Sequence, residues 1–176
     1  GMVAVAAPPR EWTVEELLDL PQREGARQVL VAADGVQAPH TLGAILRSAE
    51  FFGAAGALWP RDRAVGLTPA AIRSSAGASE RLPLARVTNL ARALDVCKDA
   101  GFWVLGTVVD GGRALGEICA ETLPDRLVLV LGSEERGIRR LTRERCDFLA
   151  TIPRRGAIGS LNVSTAAAVA LAAVCA

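Results

Sequence analysis

The apolar positions along the chain repeat with two different periods. Gln28 to Ala33, Ala57 to Trp59 and Arg126 to Leu131 are short, nearly continuous apolar runs. Runs of that length without alternation predict strands buried on both faces of a parallel sheet. Leu82 to Val87, Phe102 to Val109 and Phe148 to Ile152 read as further strands. Helical spacings lie between them. Thr13 and Glu16 make a capping box for a short helix from Val14 to about Leu20. Leu42, Ile45, Leu46, Ala49 and Phe52 share one face of a helix predicted over 41–52, which Gly53 stops. Other helices are predicted over 69–74, from Thr88 or Asn89 to about Ala100, and over 138–145, the last short and basic. Strands alternate with helices throughout. The expected fold class is therefore α/β, a mostly parallel sheet with helices on both faces.

The last thirty residues have an unusual pattern. The strand ending at Ile152 meets Pro153, and a basic loop with Gly156 and Gly159 follows. Ser160, Asn162, Ser164 and Thr165 then precede a helix made almost only of Ala, Val and Leu. A helix apolar on nearly every face is expected to be buried. The polar residues at its start either cap it or, together with its free N–H groups, hold a polar ligand. The residues alone leave both readings open.

Composition narrows the class. The chain has 176 residues, is 51% apolar and carries a net charge of +1, which fits one domain with a core and excludes disorder. Its positive charge is almost all arginine, Lys98 being the single lysine. Arg136, Arg139, Arg140, Arg143, Arg145, Arg154 and Arg155 stand against only Glu144 and Asp147 between 136 and 155. That local excess is either a solvated face or a contact for an anionic partner such as nucleic acid. Cys97, Cys119, Cys146 and Cys175 form no Cys-x-x-Cys pair, and His40 is alone, so no metal set is expected. The cysteines read as small buried hydrophobes in a reducing cytoplasm. No secretory signal is recognisable, and the final apolar stretch is short for a membrane span.

In parallel α/β sheets, ligands sit beyond the carboxyl ends of the strands. Three loops leave strands there: Gly106 to Gly111, Gly132 to Gly137, and Pro153 to Asn162. Neither Gly-x-Gly-x-x-Gly nor Gly-x-x-x-x-Gly-Lys-Ser/Thr occurs. Glu134 and Glu135 suit a ligand bearing cationic or hydroxyl groups better than a pyrophosphate.

Three segments, in this order, resemble the signature motifs of the SpoU/TrmH-type RNA 2′-O-ribose methyltransferases of the SPOUT superfamily. They are Asp34 to Ala49 (Asp-Gly-Val-Gln-Ala-Pro-His-Thr-Leu-Gly-Ala-Ile-Leu-Arg-Ser-Ala), Leu127 to Ile138, and Ile152 to Ala166. The resemblance runs from about Glu11 to the end. Arg86 to Arg92 and Leu141 to Cys146 are most similar to the branch that methylates a guanosine of large-subunit (23S) ribosomal RNA, the RlmB type. The resemblance implies a deep trefoil knot made by threading the C-terminal segment, S-adenosylmethionine bound within it, a homodimer with the last helix at its interface, an rRNA substrate, no metal and no membrane. It assigns catalysis to Arg47, Glu134, Ser160, Asn162 and the position of Thr41. Cofactor binding falls to Thr107, Val108, Leu131, Gly132, Glu134, Ile152, Ser160 and Leu161, and RNA binding to Arg47, Arg136, Arg154 and Arg155. Arginine is a poor base, its pKa being above about 12, so Arg47 is expected to position and clamp before it removes any proton.

The chain departs from the family pattern at two places. Asp-Pro-x-Asn is usual in the first motif, and here Ala38-Pro39-His40-Thr41 stands. Thr41 keeps a hydrogen-bonding oxygen but lacks an amide. Arg154-Arg155 replaces a more usual Met and small residue, which implies a different or tighter grip on phosphate. Two alternatives follow: a non-catalytic RNA- or cofactor-binding member, and a methyltransferase acting on tRNA or conferring resistance to ribosome-targeting antibiotics. Relatives of this branch carry a small RNA-binding domain ahead of a linker. Residues 1–12 are accordingly expected to be linker, 13–176 the catalytic domain, and the N-terminal domain absent.

Overall fold

The computed structural model describes residues 9–121 and 123–176. In chain order its elements are β1 (Glu11–Trp12), α1 (Val14–Leu18), β2 (Gln28–Asp34), α2 (Pro39–Phe51), β3 (Gly56–Pro60), α3 (Pro69–Ser74), α4 (Ala78–Arg81), β4 (Leu84–Val87), α5 (Leu90–Asp99), β5 (Trp103–Thr107), β6 (Arg113–Ala114), α6 (Leu115–Ala120), β7 (Arg126–Gly132), α7 (Arg140–Arg143), β8 (Phe148–Thr151) and α8 (Val163–Val174). The strands form one sheet in the order β1-β4-β3-β2-β7-β5-β8-β6. Every pairing between these strands is parallel.

The continuous apolar runs become the middle of this sheet. All residues of β2 and β3 are buried, and so is β7 after Arg126. Alternate side chains feed two cores. One holds Val29, Val31, Leu127, Leu129 and Leu131 with Ile45 and Leu46 of α2 and Ala167, Ala170 and Leu171 of α8. The other holds Leu30, Ala32, Val128 and Val130 with Leu17 of α1 and Leu90, Leu94 and Cys97 of α5. Helices therefore cover both faces, and burial on both faces removes the polar alternation from the strand sequences.

The late strand β7 enters between β2 and β5, both formed earlier in the chain. Sheet order thus reverses beside β2, the kind of place where open α/β sheets bind ligands. Beyond β8 the chain returns across the sheet, and α8 packs on α2, α6 and β7.

Several expectations are corrected. Residues 1–8 of the predicted linker lie outside the described residues, while Glu11–Trp12 is a strand on the sheet edge, paired with β4. The basic helix predicted over 138–145 shrinks to Arg140–Arg143. Ile138 is buried instead, and Arg139 is extended (φ −64°, ψ 150°) because its N–H is bonded to the Asp34 carboxylate. The elements α4, β6 and α6 lack a predicted counterpart, being too short to show a hydrophobic period. The last helix is not buried all round. Val163, Ala167, Ala170, Leu171 and Val174 are buried, but Thr165, Val169 and Ala172 form an exposed stripe.

The contact between α2 and α3 depends on Gly43. A Cβ there would lie 2.4 Å from the Ala71 carbonyl oxygen and 2.5 Å from the Ser74 Cβ. Backbone has little room to yield, so Gly43→Ala is expected to cost about 1–3 kcal/mol by overpacking. Urea unfolding of the variant measures it; an unchanged midpoint would show that the two helices separate freely.

Candidate functional site

The strands β2, β7, β5 and β8 are neighbours, so their exit loops stand side by side at the carboxyl edge. The register Asp34↔Gly132 sets the first two loops level. Gly35 lies between them and the β3 exit: its added Cβ would be 3.9 Å from the Ser133 Cβ and 3.7 Å from the Arg63 carbonyl oxygen.

The β7 exit is a tight loop. Ser133 and Gly137 exchange backbone hydrogen bonds of 3.1 and 2.9 Å. Gly137 has φ +62°, a conformation side chains disfavour. A Cβ on Gly132 would lie 2.2 Å from the Gly137 carbonyl carbon. Both glycines are therefore required, and they leave Glu134, Glu135 and Arg136 exposed at the tip.

The loop is tied to the first motif by a buried carboxylate. Asp34 has no exposed surface. Its Oδ2 accepts from the Arg139 backbone N–H at 2.8 Å, and its Oδ1 from the Arg139 Nε at 2.6 Å, with the Nη2 at 2.5 Å. A buried carboxylate needs such donors. The sequence carried one signal for it: Asp34 is the sole charge closing an otherwise uncharged buried strand.

The β5 and β8 exits are joined too. The Val108 N–H donates to the Ala150 carbonyl at 2.8 Å, and the Thr107 hydroxyl to the Val130 carbonyl at 3.1 Å. The Arg154 guanidinium donates to the Gly159 carbonyl at 3.0 Å and lies 3.7 Å from Asp110. From 154 to 161 no backbone N–H donates to another backbone group of the described residues. These residues are exposed, and Ile158 and Leu161 among them present apolar side chains to solvent. Free donors, an apolar surface and the Glu134 and Glu135 carboxylates together suit a ligand with a planar apolar part, an anionic group and cationic or hydroxyl groups.

A family model described as the SpoU rRNA Methylase family matches residues 28–172. The chain belongs to the SpoU rRNA methylase family. It is 44% identical over 171 residues to the 23S rRNA (guanosine-2′-O-)-methyltransferase RlmB of Coxiella burnetii, a match covering 97% of this chain and 67% of that relative. Among solved structures, the AdoMet-bound rRNA methyltransferase of Sinorhizobium meliloti superposes with a TM-score of 0.80 at 28% identity, covering 94% of this chain and 60% of that one. The SpoU methyltransferase AviRb of Streptomyces viridochromogenes, in complex with AdoMet, gives 0.75 at 27% identity over 87% of this chain and 58% of its own.

Within this SpoU fold the candidate residues fall into three groups. Thr107, Val108, Leu131, Gly132, Glu134, Ile152, Ser160 and Leu161 all lie at or beyond the carboxyl ends of β5, β7 and β8. Asn162 is the N-cap of α8, its Oδ1 accepting from the Ser164 N–H at 3.0 Å and hydroxyl at 2.8 Å. Capping thus explains Asn162, whose amide N–H groups make no hydrogen bond among the described residues; Ser160 is exposed and caps no helix among them. Thr41 and Arg47 are on α2, the first buried at 9% exposure and the second exposed. Ala38 gives α2 no side-chain cap, and Pro39 at the first position removes one N–H that would need it. Arg47, Arg136 and Arg155 make no ion pair among the described residues, whereas Arg154 is engaged within its loop.

Cys146 packs beneath the site, where an added Cβ on Gly106 would come within 2.7 Å of its Sγ. Burial pushes its thiol up to about 11, with Asp147 adding to the effect, and burial pushes Cys97 up to about 12. Both are packing groups, not nucleophiles. A cleft of about 460 Å³ opens at the opposite, amino edge, lined by Arg23, Arg27, Gln28 and Arg81 among others. There Arg27 donates to the Pro124 carbonyl at 2.8 Å and to that of Val174, and the Gln28 amide donates to the Leu20 carbonyl at 2.9 Å. These groups tie chain segments together.

Replacing Asp34 with Ala leaves the Arg139 guanidinium and N–H without their acceptor. The expected loss is about 2–3 kcal/mol, scaled down from a fully buried pair because the Arg139 side chain is 37% exposed. Chemical denaturation of Asp34→Ala and Asp34→Asn reads this, with Asn losing less because it keeps one acceptor.

Proposed function

We propose that this chain is an S-adenosylmethionine-dependent RNA 2′-O-ribose methyltransferase whose target is a guanosine of 23S rRNA in the cytoplasm. The reading rests chiefly on the three motif segments meeting at one sheet edge, in a chain 44% identical across 97% of its length to an enzyme named for that reaction. Two similar structures contain AdoMet. The chain spans about three fifths of the length of those two structures.

The donor set fits the cofactor. Backbone groups of Leu131, Gly132, Ile152 and Leu161, with Thr107, Val108 and Ser160, would hold it, and Glu134 would face its cationic or hydroxyl groups. When bound, it supplies an electrophilic methyl group for transfer to the ribose oxygen. The protein's main task is alignment, holding the 2′-oxygen in line with that methyl group. Arginine is a permanent cation, so Arg47 acts as a clamp on an RNA phosphate and steadies negative charge developing on the 2′-oxygen. The amide of Asn162 and the Ser160 hydroxyl would contact the ribose. Arg136 and Arg155, with Arg154 released from its loop contacts, would bind flanking phosphates.

Two finer features belong to the same reading. The C-terminal segment, whose last helix packs on α2, α6 and β7, would be threaded as a deep trefoil knot. A homodimer would cover the open stripe of α8 around Val169, which is 41% exposed, and Phe51 of the neighbouring α2, which is 78% exposed. Val169→Asp would charge that face, and light scattering is expected to show a lighter particle than the wild type. An unchanged mass would place any interface elsewhere.

The deciding experiment is transfer of labelled methyl from S-adenosylmethionine to unmodified 23S rRNA, followed by nucleoside analysis. A labelled 2′-O-methylguanosine is expected. Arg47→Ala should lower kcat by about a hundredfold with cofactor affinity unchanged, and full activity would overturn its assignment. Thr41→Asn should raise turnover a few-fold in an active enzyme. Activity that appears only in Thr41→Asn would instead identify a decayed, non-catalytic member.

A further inference from the structure

We propose that the turn after β3, centred on Arg63, is a further contact for the phosphodiester backbone of RNA, extending the track beyond the residues matched to the family motifs. The inference rests on the RNA methyltransferase reading above.

The turn adjoins the candidate site directly. The Val65 N–H donates to the Val36 carbonyl at 2.8 Å, which fastens it to the loop that opens the first motif. The Arg63 carbonyl oxygen lies 3.7 Å from where a Gly35 Cβ would stand, with Ser133 of the β7 loop on the other side of Gly35. The exits of β3, β2 and β7 therefore form one continuous ledge at the carboxyl edge.

Arg63 itself is anomalous. Its φ is +55°, the left-handed region that glycine occupies freely and arginine does not. The side chain is exposed, and among the described residues it makes no hydrogen bond and no ion pair. A strained backbone is kept only where something over-determines it. The Val65 bond to Val36 holds the turn in this shape, and no group among the described residues uses this guanidinium, which leaves it open to a partner.

The surrounding charges support an anionic partner. Glu11 is already paired with Arg61. Asp62, also exposed, is the opposing charge within the turn. Beneath the turn, Arg86 donates to the Arg61 carbonyl at 3.0 Å, and its Nε is buried without an acceptor. Arg86 has no carboxylate partner among the described residues, so the turn stands over an uncompensated cation. A bidentate guanidinium above such a support fits a phosphate. The position, one strand beyond the reacting edge, fits a nucleotide flanking the target and not the target itself.

Arg63→Gly is the informative variant, because it removes the charge and relieves the strained conformation together. Arg63→Lys keeps the charge alone. Binding to unmodified 23S rRNA would be measured across a salt series, together with cofactor affinity and thermal melting. Arg63→Gly is expected to bind RNA about three- to tenfold more weakly, with the slope of log K against log salt reduced by about one. Its melting temperature and cofactor affinity should not fall, and Arg63→Lys should recover most of the slope. An Arg63→Gly protein with wild-type RNA affinity and slope would overturn the inference while leaving the methyltransferase reading intact. A wild-type chain that transfers no methyl from S-adenosylmethionine to the rRNA and does not bind it would remove the reading and this inference together.

Discussion

The parallel register between β2 and β7 is the constraint on which the rest depends. Seven residue pairs, from Gln28↔Arg126 to Asp34↔Gly132, join segments about a hundred residues apart. Until β7 arrives, β2 and β5 have no shared partner and the middle of the sheet is missing. A slip of β7 by one residue would turn Leu127, Leu129 and Leu131 from one core to the other. It would also carry Asp34 away from Gly132, and the first motif away from the second. Stability and the site are therefore specified by the same pairing. The cost is a fold rich in distant contacts, whose loop-closure entropy is met before the contacts form.

Polar groups at the carboxyl edge sharpen what the apolar register sets. The Asp34 carboxylate is buried and, among the described residues, takes donors only from Arg139. This pins the point where the chain leaves the β7 loop, and it stops a helix from starting two residues early. The loop between Gly132 and Gly137 is closed on itself, so its acidic tip is held on a rigid base. By contrast, 154–161 has hardly any internal bonding beyond the Arg154 contact with Gly159. A firm wall at β7 faces a loosely bonded one at β8. A ligand bound between them would supply the missing partners of the second wall.

The last helix joins the two halves of the argument. Its small residues let it lie against α2 and β7, and its N-cap Asn162 sits where the β8 loop ends. The same smallness leaves an outer stripe with no partner among the described residues. Closeness on one side and exposure on the other follow from a single composition, which hydropathy alone reads as burial everywhere.

Much of this was readable without coordinates. Continuous apolar runs gave the central strands, because burial on both faces erases alternation. The glycines and short polar residues marked the exit loops, because tight returns and caps demand those types. The order of the three motifs pointed to the family. Tertiary structure alone decided the rest. Which strands are neighbours depends on pairing between distant segments, and local pattern carries no record of it. The shrinking of the helix at 138–145 depends on a carboxylate from β2, and the role of Asn162 as a cap on where α8 begins. The strain at Arg63 arises because its turn must meet the loop after β2. Sequence fixes what each segment prefers; only the packed chain decides which preferences yield, because the contacts that overrule them come from residues far away along it.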